Sequence, residues 1–140
     1  MHQKPHWEHF EHVADIGVVG FGATLAQAFE QTALALTAAI TTAPIAEKEC
    51  VEIECRAKGP DHLLVEWLNT IIFEMATRQI LFGRFSVETD GKTLSAKAWG
   101  EPVDPKKHEP AAEAKGATYT ALDVGQSEDG LWHAGCVVDV

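Results

Sequence analysis

The residues best equipped for chemistry are the last five, Cys136-Val137-Val138-Asp139-Val140. Their apolar, β-branched run reads as a strand. With Val140 as the final residue, the Asp139 side chain and the main-chain carboxylate of Val140 are expected together on one rigid element. Neighbouring carboxylates held in place repel unless a cation or hydrogen-bond donors compensate them. A site made only of oxygens suits a hard cation (Ca2+, Mg2+ or Mn2+) and not Zn2+. The competing reading is a strand that ends in solvent with Asp139 hydrated, and the terminus alone does not choose.

Three further groups could join such a site. His12-x-x-Asp15 lies in a predicted turn, where an Asp ordinarily bonds its own backbone. A functional Asp15 has to lie beside Asp139, which spacing does not show. Glu101-x-x-Asp104-x-x-x-His108 falls in a polar loop, either as a solvated loop or as a flexible ligand set or partner contact. Lys115 opens a predicted strand, as an ordinary edge lysine or as a functional cation. The histidines His2, His6, His9 and His12 invite zinc, but alternation along a strand puts His9 on the opposite face from the others. Trp67 reads as core. There is no serine elbow, CxxC pair or phosphate-cradling glycine loop, which argues against an independent enzyme.

The elements that must position these residues follow from periodicity. Residues 7–22 read as two strands around a turn near Ala14–Gly17, with Gly17, Gly20 and Gly22 marking close packing or a bulge. Thr24 and Gln27 form a capping-box pair that opens a helix, and Leu25, Phe29, Ala33, Leu36 and Ile40 share its inner face. Pro44 helps to stop it. Residues 51–58 alternate as a half-buried strand, with Val51, Ile53, Cys55 and Ala57 inward. Gly59-Pro60-Asp61 caps a second helix through Ile80, apolar around most of its circumference and therefore expected to be the more buried of the two. Asp90-Gly91 predicts a two-residue hairpin turn pairing Thr89 with Lys92, Val87 with Leu94 and Phe85 with Ala96. A loop from Glu101 to Ala112 and two final strands, 115–124 and 131–140, complete the order ββαβαββββ. The expected fold is a single α+β domain over residues 1–140, a mixed or largely antiparallel sheet carrying two helices.

Composition narrows the partners. The chain has 140 residues, 46% hydrophobic and 23% charged, enough for one core and too apolar for disorder. No stretch of about 18 apolar residues is present to span a membrane, and the opening MHQKPHWEH has no apolar signal segment, so the cytoplasm is expected. Cys50, Cys55 and Cys136 lack scaffold spacing and read as free structural thiols. A net charge of −10, from 21 acidic against 11 basic residues, excludes a phosphate-neutralising surface. A cation or a basic protein surface is the expected companion, with no direct nucleic-acid contact.

Taken together, these motifs resemble the archease family nearly end to end. The resemblance rests on His12-Val13-Ala14-Asp15-Ile16-Gly17 and on Gly22-x-Thr24-Leu25-x-x-Ala28-Phe29. It continues through Leu63-Leu64-Val65-x-Trp67-Leu68-Asn69 and Gly100-Glu101-x-x-Asp104-x-x-x-His108. Lys115-x-x-Thr118-Tyr119 and Val138-Asp139-Val140 complete it. It implies an accessory protein for the tRNA-splicing type RNA ligase, which uses GTP and metal, with the accessory protein promoting ligase guanylylation and repeated turnover. It further implies a metal site of Asp15, Asp139 and the Val140 carboxylate, Ca2+ being the expected occupant in a crystal and Mg2+ or Mn2+ the alternatives in the cell. The family's functional lysine maps onto Lys115. Thr120 stands where the family often has His, and Gly116 and Ala117 are smaller than the usual apolar pair, which predicts looser packing behind Lys115. Two other functions compete: a small phosphoester hydrolase using the Asp15/Asp139 cation with His12 as base, and a chaperone-like binding module.

Overall fold

The computed structural model describes residues 4–12 and 14–140. Strands β1 (His6–His12) and β2 (Asp15–Gly22) form the first antiparallel pair. Asp15 is thus the first residue of a strand and not part of a turn, because its main chain is already in the ladder opposite His12. Thr24 then caps helix α1 (Leu25–Ile40). Its hydroxyl accepts from the Gln27 N–H at 3.1 Å, while Gln27 Oε1 accepts from the Ala23 N–H at 2.8 Å. This reciprocal arrangement satisfies two donors at the helix entrance. Strand β3 (Glu49–Arg56), helix α2 (Pro60–Arg78) and the pair β4 (Ile80–Thr89) and β5 (Thr93–Pro102) follow. A single helical turn, α3 (Pro105–His108), precedes the short strands β6 (Gly116–Ala117) and β7 (Asp123–Gln126), and β8 (Trp132–Asp139) is the last element, with Val140 just beyond it.

The strands form two antiparallel sheets, one ordered β1-β2-β8-β6 with β7 also on β8, the other β3-β5-β4. Helix α1 packs between them, against β2 and β8 on one side and β4 on the other. Thr32 Oγ1 donates to the Ala134 carbonyl of β8 at 2.8 Å, and Thr37 Oγ1 donates to the Phe82 carbonyl of β4 at 2.8 Å. The predicted inner face holds: Phe29, Ala33 and Leu36 are fully buried. Burying Phe29 and Leu36 contributes roughly 1.5–3 kcal/mol each. The expectation that α2 is the more buried helix does not hold. No α1 residue is exposed, whereas His62, Glu66, Asn69 and Phe73 of α2 face outward. Contact with two sheets buries α1 on both sides, while α2 presents only one face to the core. Trp67 is core, and its indole N–H donates to the Phe29 carbonyl at 3.0 Å.

The close packing expected of the glycines is clearest at Gly20. A Cβ there would lie 2.2 Å from the Ala28 carbonyl oxygen, so only glycine lets β2 press against α1. The β4–β5 hairpin exists, but its register differs from the predicted one by two residues. Val87 pairs with Ala96 and Thr89 with Leu94, because Asp90 Oδ1 accepts from the N–H groups of Lys92 and Thr93 and widens the turn. A shift of two preserves the faces, and the apolar set stays inward. The predicted strand 115–124 is broken. Ala117 pairs with Val138 and Asp123 with Gly135, so the chain makes a detour between β6 and β7 through a positive φ of 53° at Ala121. Among the described residues no helix is long and apolar enough to cross a membrane.

Candidate cation site at the end of the five-stranded sheet

The candidate residues meet through register. Ile16 of β2 pairs with Val138 of β8, and one further step of the same register sets Asp15 across from Asp139. His12 of β1 pairs with Asp15, and Gly116 of β6 pairs with Asp139. Directly opposed residues of antiparallel strands share a face. His12, Asp15 and Asp139 therefore form a row across one sheet end, with the partly exposed Val140 next along. The Lys115 N–H donates to the Asp139 carbonyl at 2.8 Å, which ties the main chain of Lys115 to the same end. Its side chain is exposed.

The donor set fits a hard cation. Asp15, Asp139 and the Val140 carboxylate supply oxygen only. His12 Nδ1 is buried without a hydrogen-bond partner beside them. A depression of about 370 Å³ between His9, Phe10, Glu11, Ala14 and Ile16 reaches Asp15, but His12, Asp139 and Val140 do not line it. Among the described residues no three His, Cys, Asp or Glu side chains gather to hold a metal. The side chains alone offer two carboxylates at this sheet end, those of Asp15 and Asp139. Of the N-terminal histidines, His2 lies outside the described residues. His9 lies on the opposite strand face from His6 and His12, where its Nε2 meets the Ala35 carbonyl of α1 at 2.7 Å.

Glu101 and His108 are elsewhere, and neither a solvated loop nor a flexible ligand set describes them. They are 3% and 1% exposed. Glu101 Oε2 accepts from the Ala46 N–H at 2.7 Å, Lys107 Nζ at 2.7 Å and His108 Nε2 at 3.1 Å. The Ala46 bond first, then Lys107, with His108 adding to them, hold the Glu101 carboxyl down at about 2, against the opposing effect of burial. His108 Nδ1 accepts from the Asp104 N–H at 2.9 Å, so the ring is the neutral tautomer with its proton on Nε2. The cluster pins α3 and residues 46–48 to the end of β5 as a structural latch, with the Glu101 and His108 side chains enclosed in it. Cys136 is likewise interior, and burial pushes its thiol up to about 12. All three cysteines are free.

The role of Asn69 was not legible from sequence. From α2 its Oδ1 accepts from the Ala117 N–H at 2.8 Å and its Nδ2 donates to the Ala117 carbonyl at 3.4 Å. This clamp lies behind Lys115, where looser packing was expected, and ties β6 to α2. Thr120 is exposed; its carbonyl accepts from the Val137 N–H at 3.0 Å and its N–H donates to Thr118 Oγ1 at 3.2 Å.

Comparison with known proteins agrees with this architecture. The sequence profile of the Archease protein family (MTH1598/TM1083) matches residues 7–140. The Protein archease of Pyrococcus furiosus is 42% identical over 140 residues, covering 96% of this chain and 98% of that protein. That of Sulfolobus acidocaldarius is 37% identical, with the same coverage. The solution structure of Methanobacterium thermoautotrophicum protein 1598 superposes with a TM-score of 0.75 at 33% identity, covering 96% of this chain and 98% of that one. A Thermotoga maritima archease described as a possible chaperone gives 0.63 at 16% identity, covering 94% of each chain, and shares the fold. With an α+β fold, a family profile spanning both ends of the row of carboxylates and relatives matched over nearly their whole length, this chain belongs to the archease family.

Proposed function

We propose that this protein is a cation-dependent accessory protein of a GTP-dependent, tRNA-splicing type RNA ligase, promoting ligase guanylylation and repeated turnover without catalysis of its own. The observation that carries the reading is the convergence of Asp15, Asp139 and Lys115 at one sheet end from three separate stretches of sequence. Asp15, Asp139 and the Val140 carboxylate hold a hard divalent cation, with Ca2+, Mg2+ and Mn2+ as the candidates. A bound cation supplies a concentrated positive charge for phosphate oxygens or a partner carboxylate. Lys115 presents a second positive charge beside it on an exposed side chain, and His12 flanks the row. The net charge of −10 leaves RNA contact to the ligase.

The test is Asp139→Asn together with a C-terminal tag, which converts the Val140 carboxylate into a neutral amide. Each change removes one negative charge from the ligand set. Calorimetry with Ca2+ should show weakened binding, and ligase guanylylation should lose its stimulation, while the same tag at Met1 changes neither. Normal stimulation by both altered proteins would refute the site. Phosphoester hydrolysis by the isolated protein would instead favour a hydrolase.

A further inference from the structure

Two strand edges of this fold are engaged by side chains of the helices. At β4, Thr37 Oγ1 donates to the Phe82 carbonyl and the Val87 N–H donates to Glu30 Oε2, each at 2.8 Å. At β6, Asn69 meets both polar groups of Ala117. Strand β1 differs. It forms the border of the five-stranded sheet, and each residue from His6 to Glu11 is exposed. Among the described residues, no backbone hydrogen bond leaves it except toward β2. An open edge of this length is a template for another strand unless something blunts or covers it.

A groove of about 510 Å³ runs beside this edge. Leu34 and Ala38 of α1 form its floor, and Trp7, His9, Pro44 and Ile45 its sides. Trp7 keeps 37% of its surface exposed there. A strand added to β1 places every second side chain on the face of Trp7 and His9, toward this groove. The intervening side chains fall on the face of His6, Glu8 and Phe10, where the Glu8 carboxylate is 60% exposed and its Oε2 lies 3.2 Å from His6 Nε2, leaving Oε1 for an incoming cation. Apolar side chains suit the first face and basic ones the second. A second copy of this chain suits neither, since it brings Glu8 and Glu11 and a net charge of −10 against their like.

We propose that β1 and the adjoining groove form a docking edge for an extended segment of a partner protein in which apolar and basic residues alternate. The segment adds to the sheet as a further strand. Main-chain hydrogen bonds supply affinity, the groove selects apolar residues, and Glu8 selects the basic ones. The proposal does not depend on the cation ligands, because neither the groove nor the edge uses Asp15, Asp139 or Val140, and the edge meets that site only at its last residue, His12.

The probe is a synthetic peptide alternating valine and lysine, titrated into isotope-labelled protein and followed by amide chemical shifts. Three controls accompany it: an N-methylated version lacking backbone donors, a valine–glutamate version, and the protein alone in a sedimentation experiment. Shifts should concentrate at residues 6–12 and around Leu34 and Ala38. N-methylation should weaken binding about tenfold, through loss of several ladder hydrogen bonds. Glu8→Lys should weaken the lysine peptide about threefold or more and favour the glutamate peptide by a similar factor. Ala38→Trp, which fills the groove, should weaken the lysine peptide about tenfold. Absence of shifts at residues 6–12 up to millimolar peptide, equal binding of the N-methylated peptide, or a dimer formed through β1 in the protein alone would each overturn the proposal.

Discussion

Replacing Asn69 by alanine removes both bonds that hold Ala117 to α2. The bond from the Ala117 N–H is well made at 2.8 Å, whereas the return bond at 3.4 Å is near the limit of a hydrogen bond. The side chain is exposed, so water replaces part of what is lost. The net cost is about that of one ordinary hydrogen bond, ~1 kcal/mol. That free energy shifts the balance between docked and open β6 by about fivefold. The Ala117 amide is a poor reporter, since the substitution deletes its acceptor directly. The amides of Lys115 and Thr118 are better ones, because they donate to the Asp139 and Val137 carbonyls of β8 and never touch Asn69. Native-state hydrogen exchange at these two amides should quicken about fivefold in Asn69→Ala, with Val18 in β2 unchanged. Asn69→Asp keeps the acceptor for the Ala117 N–H and should retain most of the protection. Ligase stimulation should fall in Asn69→Ala more than cation affinity does, because opening β6 frees Lys115 while the β2–β8 pairing still holds Asp15 and Asp139 together. Unchanged exchange at Lys115 and Thr118 would refute the clamp. Equal acceleration at Val18 would reduce Asn69 to a contributor to global stability.

Other expectations rest on separate features. The Glu101 carboxyl titrates at about 2 in the fold against an ordinary 4.5, so its stabilisation is complete above about pH 4.5 and is lost as the pH falls through about 2. Urea midpoints should show Glu101→Gln less stable than the parent at pH 7 and less pH-dependent between pH 4.5 and 2, and equal midpoints at pH 7 would refute the latch. Gly20→Ala places a Cβ 2.2 Å from the Ala28 oxygen and 2.3 Å from the Thr32 nitrogen, both helix backbone, and should cost about 1–3 kcal/mol in urea unfolding. A neutral result would mean that β2 and α1 separate more freely than their packing implies. Lys115→Ala should leave calorimetric cation affinity intact while reducing ligase guanylylation, and stimulation equal to the parent's would make Lys115 an ordinary edge residue.

Local chemistry was legible where neighbouring residues decide the outcome. The Thr24–Gln27 cap, the Val51–Ile53 alternation, the Gly59–Pro60 start of α2 and the existence of the Asp90–Gly91 hairpin all follow from rules that act over a few residues. Even the hairpin's faces were legible despite the wrong register, because a two-residue shift preserves the alternation.

Residue order and type alone specify which side of each element is apolar and that carboxylates stand at positions 15 and 139. Periodicity names the buried side of an element but not what covers it. The division into two sheets, and the placement of α1 rather than α2 as the more buried helix, were therefore decided by packing. The same limit applies to polar groups. Glu101 and His108 look like a loop's exposed charges until α3 folds against the end of β5, which pairs them with each other and with the N–H groups of Ala46 and Asp104. Asp15 and Asp139 become neighbours only because β2 pairs with β8, and Asn69 meets Ala117 only because α2 crosses the end of that sheet. Strand pairing between distant segments is set by the whole core at once, so the tertiary structure alone placed the carboxylates, the lysine and the clamp in one corner.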